Sequence, residues 1–361
     1  NNKLTFISKQ NQEPNMSQPE EIHCKKVAVV VLGYNSVEFL KKFLPTILKT
    51  KYEDYTPVYV DNGSSDESVA YVTENFPEVE IFRIYVNNGF ANGYQESLPY
   101  IKAEYYVLIN SDVAVTENWL GTLVEEIEKD QKVGVCQPKI LHEPKPEMFD
   151  YAGASGGFID AFCYTFCRGR IFHHIEADKK QYEDVCEIFW ASGACMLIRS
   201  ELFHKLGGLD EEFYAHMEEI DLCWRVKNAG YKILVVPQSV VYHVGGSVIT
   251  YGSFSKLYYN YRNNLIMMVK NLSVLKMILL VPARIMLDQL AALRAIFLGN
   301  FTELRAIIAG DFKFIIGLNK WLKARKLSRK HIVEPNLKGW YKKSLVIDVF
   351  IKKKTKFNQL K

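Results

Sequence analysis

The first 135 residues alternate between short apolar runs and longer amphipathic segments, and this rhythm restricts the chain to a few folds. Residues 27–32 are apolar throughout, as is typical of a parallel strand buried on both faces. Similar runs recur at 57–61, 79–85, 105–109 and 133–136, and apolar residues at helical spacing separate them at 39–47, 64–75, 90–103 and 116–129. This alternation predicts an α/β fold with a doubly wound mixed sheet, whose ligands bind at the carboxyl ends of the strands.

The rest of the chain departs from that rhythm in two places. Residues 137–187 have no clear period, and long irregular segments of this kind are usually functional or disordered. Strand patterns return at 187–198, 232–236 and 240–244, whereas the signal from Phe254 onward is helical and amphipathic. We therefore expect a polar N-terminal segment at 1–26, an α/β domain at 27–252 and a helical, basic C-terminal extension at 253–361.

Three acids lie together at the start of a predicted helix. Glu218, Glu219 and Asp221 follow a Gly-Gly-Leu-Asp turn at 207–210. The helix dipole alone favours acids at this position. Carboxylates so close together also repel one another, so that at least one should have the perturbed pKa that a general base needs. Both interpretations stay open on this segment alone.

Four predicted strands end in polar residues of the kinds that bind ligands. These ends are LGYN at 32–35, DNGSSD at 61–66, NNGFANG at 87–93 and NSD at 110–112. One such end is explained by the preference of turns for Asn, Asp, Gly and Ser. Four at one edge of a sheet indicate a binding site.

A divalent metal is expected at the fourth strand end. The Asp112 carboxylate can hold Mg²⁺ or Mn²⁺ against a diphosphate, with water in the remaining positions. His243 lies at the end of the last predicted strand, and an imidazole ligand would favour Mn²⁺. A strand-end histidine bonded to backbone is the alternative.

Two common nucleotide motifs are missing from the sequence. Gly33 is not followed by a G-x-G-x-x-G fingerprint, which disfavours a dinucleotide-binding dehydrogenase, and G-x-x-x-x-G-K-[ST] does not occur. A sugar-phosphate nucleotidyltransferase would need a basic residue in the loop after the first strand, and residues 32–36 have none.

A family resemblance emerges from the order of the motifs. The chain resembles the inverting glycosyltransferases of family 2, especially their bacterial rhamnosyltransferase-like branch, over about residues 27–270. The motifs that carry the resemblance are DNGSSD at 61–66, NGFANG at 88–93, LINSD at 108–112, GACMLIR at 193–199, GGLD at 207–210, EEIDLCWR at 218–225 and His243.

The resemblance implies a GT-A fold and a nucleotide-sugar donor. On the family's pattern Asn35 and Asp61 face the nucleotide, and Asn88 and Gly89 line the same pocket. Asp112 is the last Asp of the family's metal motif, His243 its third metal-site residue, and Asn110 stands where the motif begins with Asp.

The catalytic base of the family maps to Glu219. The family usually has Asp there, so the carboxylate is expected about one methylene farther out, and Glu218 is the alternate base. Asp221 is assigned a structural role in a helix-surface salt bridge with Arg225.

Other residues are candidates for the acceptor and for the diphosphate. Trp190, Ser192 and Gly193 are placed on the acceptor side, with core packing as the alternative for Trp190. Arg262 is placed at the diphosphate, with a helix position away from it as the alternative.

The expected reaction is one in-line displacement at the sugar C1, with inversion and with a carboxylate accepting the proton of the acceptor hydroxyl. The expected partners are a nucleotide-sugar donor, possibly dTDP-rhamnose or a UDP-hexose, and a glycan or lipid-linked acceptor, with no nucleic acid. The alternatives are the nucleotidyltransferase and a non-catalytic membrane-surface protein with the same fold.

The charge distribution suggests an anionic surface as a further partner. Residues 320–361 carry a net charge of +12, against about −8 for the rest. Peripheral binding to the inner face of the cell membrane would follow, and a solvated tail is the alternative. Residues 1–26 lack the apolar core of a signal peptide, and seven irregularly spaced cysteines argue against a disulfide framework, so we expect a cytoplasmic protein. The most apolar stretch, 272–298, is interrupted by four charged residues and is not expected to span a membrane.

Overall fold

A computed structural model describes residues 4–7, 20–245 and 252–360 of the chain, with only the backbone for residues 4–7. The strands are β1 (Leu4–Ile7), β2 (Ile22–His23), β3 (Val27–Gly33), β4 (Tyr55–Asn62), β5 (Glu80–Ile84), β6 (Ile101–Lys102), β7 (Tyr105–Asn110), β8 (Val113–Val115), β9 (Val133–His142), β10 (Lys145–Phe149), β11 (Gly157–Ile159), β12 (Thr165–Cys167), β13 (Arg170–Ile171), β14 (His174–Ile175), β15 (Cys186–Glu187), β16 (Cys195–Arg199) and β17 (Lys232–His243). The helices are α1 (Val37–Leu48), α2 (Ser68–Asn75), α3 (Phe90–Ser97), α4 (Trp119–Glu128), α5 (Ser200–Lys205), α6 (Glu218–Asn228), α7 (Phe254–Asn271), α8 (Val274–Phe297), α9 (Phe301–Ile316) and α10 (Leu318–Ser328).

The predicted mixed sheet forms the centre of the fold. Its strand order is β1-β5-β4-β3-β7-β16-β9-β17-β15, with β10 paired to β9 and β8 paired to β17. Strands β3, β4, β5 and β7 are parallel, and β16 runs antiparallel between β7 and β9. Every residue of β3 is buried, which explains its uninterrupted apolar sequence. The strand order reverses at β3, because β4 and β5 lie on one side of it and β7 lies on the other.

Several element boundaries differ from the predicted ones. The helix expected at 64–75 begins only at Ser68, and the helix expected at 90–103 ends at Ser97, because a 3₁₀ turn and the short strand β6 follow. The two strands expected at 232–244 form one strand, β17, whose register against β9 shifts between Val236 and Val240. In the N-terminal segment, β1 and β2 pair in parallel with β5 and β6.

The aperiodic segment 137–187 has regular structure of its own. Strand β9 extends to His142, and β11 to β14 form a separate four-stranded antiparallel sheet. Short strands of two to five residues leave too few side chains on one face to produce a visible period. None of the seven cysteines, all of which are described, forms a disulfide.

The C-terminal residues return to the α/β domain. The Trp340 ring packs edge-on against Phe189 and Trp224, at centroid distances of 5.8 and 5.3 Å. The Tyr341 amide donates to the carbonyl of Ile159 (2.7 Å). The end of the basic segment is therefore packed against the domain and is not a free solvated tail. In the part of the chain that the structure describes, no helix has the length and apolarity needed to cross a membrane.

A buried carboxylate joins the C-terminal helices to the α/β domain. Asp221 on α6 accepts hydrogen bonds from Arg225 Nε (2.9 Å), Lys270 Nζ (2.7 Å) and Asn271 Nδ2 (2.7 Å), the last two on α7. The expected salt bridge between Asp221 and Arg225 is present but buried, which corrects its expected surface position. Burial alone would raise the pKa of Asp221, but Lys270 and Arg225 hold it below its usual value.

Loss of this carboxylate should destabilise the fold. Asp221→Asn keeps the side-chain shape but leaves the buried Arg225 without its carboxylate partner and Lys270 with Asp210 alone (2.6 Å). We expect the free energy of unfolding to fall by about 3–5 kcal/mol, as measured by urea denaturation. Glu211→Gln, an exposed acid on the loop before α6, is the matched control and should stay within about 0.5 kcal/mol of the parent. Equal stability of Asp221→Asn and the control would contradict the structural role.

Candidate active site

A cavity of about 480 Å³ opens where β3 and β7 end, at the point where the strand order reverses. The starts of α6 and α7 close its other sides. Fifteen polar or charged side chains converge on this one open space, which is typical of a binding site. They are Tyr34, Asn62, Asn87, Asn110, Ser111, Asp112, Ser192, Tyr214, His216, Glu218, Glu219, His243, Ser255, Lys256 and Tyr259.

One wall carries a carboxylate, an imidazole and a second carboxylate in a row. His243 Nε2 lies 3.3 Å from Asp112 Oδ1, and His243 Nδ1 lies 3.0 Å from Asp150 Oδ1. Pairing of β17 with β8 sets His243 opposite Val113 and so beside Asp112. Burial would lower the pKa of His243, but the two carboxylates raise it to about 10.

This wall fits a metal ion that takes most of its ligands from elsewhere. Asp150 fixes the orientation of the imidazole and leaves Nε2 beside Asp112, as second ligand shells do in metalloproteins. The described residues contain no group of three or more His, Cys, Asp or Glu side chains suited to hold a metal. Asp112 and His243 would therefore supply two ligands, and diphosphate oxygens and water the remainder.

The first turn of α6 brings the predicted acids to the same cavity. Glu218 and Glu219 both face it, and one carboxylate oxygen of each is buried without a hydrogen-bond partner among the residues that the structure describes. Burial raises the pKa of Glu219 to about 7. Burial and the neighbouring Glu219 raise the pKa of Glu218 well above its usual value. Helix-dipole preference does not leave carboxylate oxygens unpaired, so the general-base interpretation of this pair is favoured.

The loop before α6 has a strained backbone. Tyr214, His216 and Met217 have φ angles of 62°, 67° and 75°, which non-glycine residues rarely adopt. Asn263 on α7 holds the loop, because its Nδ2 lies 2.9, 3.0 and 2.7 Å from the carbonyls of Phe213, Ala215 and His216. The loop thereby delivers Glu218 and Glu219 to the cavity. Strain kept at such a place is typical of functional sites.

A glycine permits the close approach of this loop to α3. Gly89 has φ +102°, and a Cβ there would lie 2.6 Å from both the carbonyl oxygen and the ring of Tyr214. Tyr214 in turn stacks on Tyr259 of α7, with ring centroids 5.3 Å apart. Any larger residue at position 89 would push the aromatic pair away from the cavity.

Two basic side chains in the cavity have lowered pKa values. Burial lowers the pKa of Lys256 to about 8, partly opposed by Asp150. Burial and the charge of Lys256 lower the pKa of His216 to about 4, so His216 is neutral at pH 7. With a pKa near 8, Lys256 is still mostly charged at pH 7, and an anionic ligand would favour the charged form further, which makes this lysine a candidate contact for a diphosphate.

The structure separates the predicted site residues into two groups. Those that line the cavity are Gly89, Asn110, Asp112, Ser192, Gly193, Glu218, Glu219 and His243. The predicted residues that do not line it are Asn35, Asp61, Asn88, Trp190 and Arg262.

The contacts of two of the latter residues favour the alternatives that the sequence left open. Trp190 is buried in the core, where its ring covers Gly157 and its Nε1 donates to the carbonyl of Phe158 (2.9 Å). Arg262 donates through Nη2 to the carbonyl of Glu212 (2.7 Å) and so supports the strained loop from outside.

The three remaining placements concern strand ends. Asp61 is fully buried behind the cavity and accepts from the Ser64 amide (3.2 Å). Asn35 is exposed and accepts from the Ser65 amide (2.8 Å). Asn88 is exposed, and its neighbour Asn87 turns inward instead.

Some lining or supporting residues carried no signal in the sequence. Asp150 lies in the aperiodic segment, and Lys256 and Asn263 lie on a helix whose apolar pattern indicates only packing. The motif at residues 87–89 predicts a turn at the cavity. Which of its two asparagines, Asn87 or Asn88, faces the cavity depends on the backbone conformation of that turn.

Comparison with known proteins identifies the family of this site. Residues 28–207 match the family model of Glycosyl transferase family 2. The chain belongs to this family. The match confirms the resemblance drawn from the motifs and makes the protein a glycosyltransferase.

Two bacterial rhamnosyltransferases are among the relatives of this family 2 glycosyltransferase. N-acetylglucosaminyl-diphospho-decaprenol L-rhamnosyltransferase of Mycobacterium tuberculosis is 21% identical over 231 residues, which cover 60% of this chain and 75% of that protein. Rhamnosyltransferase WbbL of Escherichia coli K12 is 21% identical over 221 residues, which cover 58% of this chain and 80% of that protein.

Solved structures confirm the GT-A fold of this glycosyltransferase. GalNAc-T7, crystallised with UDP, GalNAc and Mn²⁺, matches with a TM-score of 0.55 at 18% identity, over 68% of this chain and about half (48%) of its own. Mannosyltransferase PcManGT from Pyrobaculum calidifontis, in complex with GDP-Man and Mn²⁺, matches with a TM-score of 0.51 at 15% identity, over 88% of each chain.

The raised pKa of Glu219 predicts a pH-dependent stability of this glycosyltransferase. Folding keeps Glu219 protonated up to about pH 7, whereas the unfolded chain releases that proton near 4.5. The group therefore costs stability as pH rises from about 4.5 to 7. In Glu219→Gln this cost is absent, so the free energy of unfolding of the variant relative to the parent should rise by on the order of 1 kcal/mol between pH 5 and pH 8. Urea denaturation at both pH values measures this, and an unchanged difference would contradict the raised pKa.

Proposed function

We propose that the protein is an inverting, metal-assisted glycosyltransferase that moves a sugar from a nucleotide-diphosphate donor to an acceptor hydroxyl. The observation that carries this proposal is that one cavity holds both sets of side chains. Glu218 and Glu219 of α6 and Asp112 with His243 at the strand ends all line it. A base and an anion-binding wall on opposite sides of a bound sugar are what a single displacement with inversion requires.

The donor is proposed to lie along the ends of β3 and β7. Asn62, Asn87 and Asn110 offer amide groups there for the nucleoside and the sugar. The diphosphate would then reach Asp112, His243 and Lys256. A divalent ion held by Asp112 and His243 would neutralise the charge that develops on the leaving diphosphate. Mg²⁺ and Mn²⁺ both suit such a site, and the Mn²⁺ named for two similar folds supports a metal here.

Glu219 is proposed as the general base. As the acceptor oxygen bonds to the sugar C1 and the C1–O bond to the diphosphate breaks, the hydroxyl proton passes to a Glu219 carboxylate oxygen. A pKa near 7 suits this step, because the group is then ionised in part and still basic enough to take a proton. Burial and the neighbouring Glu219 also raise the pKa of Glu218, which can hydrogen-bond the acceptor or its base.

The donor sugar and the acceptor class are proposed from the relatives. Two of them are rhamnosyltransferases, and one of these is named for a diphospho-decaprenol-linked sugar. We propose dTDP-rhamnose, or a UDP-hexose, as donor and a hydroxyl of a glycan or lipid-linked sugar as acceptor.

Substitution of the base should stop transfer without weakening donor binding. Glu219→Gln keeps the size of the side chain but cannot accept the proton, so we expect transfer to fall by roughly 10²–10⁴-fold with donor affinity nearly unchanged. In the parent, the transfer rate should rise with pH through about 7 and then level off. Product analysis and donor titration measure both quantities.

Two variants serve as controls for that experiment. Glu211→Gln changes an exposed acid nearby and should transfer at the parental rate. If Glu219→Gln stays active while Glu218→Gln does not, the base is Glu218 and the assignment is wrong.

Loss of the metal-side carboxylate should weaken nucleotide binding only when a divalent ion is present. In a thermal-shift screen of nucleotide sugars, Mn²⁺ or Mg²⁺ should strengthen the stabilisation of the parent, since a bound ligand raises apparent stability by mass action. Asp112→Asn should lose that ion-dependent part and keep the ion-independent part. An equal ion-dependent shift in parent and variant would count against a metal role for Asp112, and no shift with any nucleotide sugar would count against the transferase proposal.

A further inference from the structure

Helices α8 and α9 expose large apolar side chains along one face each. More than half of the large apolar side chains that are exposed in the described chain lie between residues 274 and 327. Phe297 is 87% exposed, Leu275 70% and Phe312 63%. These side chains recur every three or four residues and so form one stripe per helix. The stripes, together called the α8–α9 surface, consist of Leu275, Ile278, Leu279, Met286, Leu290, Leu293, Ile296 and Phe297 on α8 and of Phe301, Ile308, Phe312, Ile315 and Ile316 on α9.

The opposite faces of the same helices are buried although they carry charges. Arg284 Nε lies 3.0 Å from Asp288 Oδ1, and Arg284 Nη1 donates to Asn264 Oδ1 on α7 (2.6 Å). Gln289 Nε2 donates to Asp311 Oδ2 across the two helices (2.7 Å). These polar contacts define which way the helices face. Val281, Ile307 and Phe314 are buried on the same inward faces, so each helix carries apolar side chains on both its inward and its outward face.

A glycine on α9 makes the inward orientation possible. At Gly310 a Cβ would lie 3.2 Å from the Arg262 amide and 3.3 Å from the Tyr258 carbonyl of α7. The backbones of α7 and α9 therefore pack directly against each other at Gly310. Rotation that buried Phe312 or Ile315 instead would drive a bulky side chain into this contact.

The fully exposed charges on α8, α9 and α10 are positive. Between residues 274 and 327 the exposed charged side chains are Lys or Arg, Asp288 and Asp311 are buried, and Glu303 is half-buried against Tyr261 and Asn300. Lys320 is paired with Glu212 of the domain (2.6 Å). An exposed apolar area of this size on a monomer marks an interaction site. The exposed cations around it are Lys276, Arg294, Arg305, Lys313, Lys320, Lys323 and Lys326.

We propose that the α8–α9 surface lies on an anionic lipid membrane, with both helices parallel to the membrane plane. Apolar side chains would enter the boundary between headgroups and acyl chains, and the Lys and Arg side chains would reach the anionic headgroups. A second copy of the chain is a poorer fit. A two-fold interface presents the same patch twice and would set these cations against one another.

This inference goes beyond the proposed transfer reaction and stands without it, but the two agree. Helix α9 packs on α7, where the Tyr261 hydroxyl lies 3.2 Å from a Glu303 carboxylate oxygen of α9. Lys256 and Tyr259, earlier on α7, line the cavity. A membrane under α8 and α9 would thus lie one helix layer from the site, within reach of a lipid-linked acceptor.

Flotation of the full chain with lipid vesicles tests the proposal. The parent should float with vesicles that contain phosphatidylglycerol and should stay largely at the bottom with pure phosphatidylcholine. Phe297→Glu/Phe312→Glu should lower the floated fraction by roughly tenfold or more, because it removes apolar area and adds charge repelled by the lipid. The matched control is Val333→Glu/Ile351→Glu, which changes side chains that are 81% and 73% exposed and lie outside the surface, and it should float like the parent.

Two further measurements make the result decisive. Both double variants should show the parental thermal shift with nucleotide sugar, which separates a docking defect from loss of fold or of the transferase site. The proposal is overturned if the parent fails to float with anionic vesicles or if both double variants float alike. It is also overturned if the parent sediments as a dimer that Phe297→Glu/Phe312→Glu dissociates while neither protein floats.

Discussion

The buried carboxylate of Asp221 is the interaction on which the arrangement of the site depends. It lies one turn along α6 from the acids of the cavity and binds two side chains of α7, so the helix that presents the acids cannot turn or slide independently of the helix that closes the cavity. Arg225, held by Asp221, also donates to the carbonyls of Leu206 and Gly208, which anchors the turn that leads into the loop. A charged network suits this role better than apolar contacts, because its geometry admits few alternatives.

A strained loop is tolerated at the site because α7 compensates for it. Non-glycine residues in left-handed conformations cost on the order of 1 kcal/mol or more each, and three of them lie between Phe213 and Glu218. The hydrogen bonds from Asn263 to three loop carbonyls offset part of that cost. The result is that Glu218 and Glu219 leave the loop with carboxylates directed into a partly dehydrated space. Their raised pKa values follow from that position, since water that would solvate the charge is excluded.

The sheet and part of the site were predictable because buried parallel strands are apolar throughout and bind ligands at their carboxyl ends. Apolar runs predict β3, β4, β5 and β7, and the rule that ligands bind at strand carboxyl ends predicts Gly89, Asn110 and Asp112 as lining residues. Asp150 was not predictable, since it faces His243 only through pairing of distant strands in an aperiodic segment. The position of Trp190 could not be decided from the sequence either. A bulky aromatic beside a strand suits a sugar or a core equally well, and only packing against Gly157 decides between them.

The orientation of α8 and α9 could not be predicted from the sequence either. A period of 3.6 residues reveals that a helix has an apolar face but not which medium that face contacts. Packing on the catalytic domain is the default for such a face, and the inward faces of these helices bury Val281, Ile307 and Phe314, but they also carry Gly310, Asp288 and Asp311. The two acids would be costly to bury without their partners Arg284 and Gln289, so these polar contacts keep the apolar stripes outward. The cost of exposing those stripes to water is removed only if something apolar and anionic covers them, and a lipid surface meets both conditions.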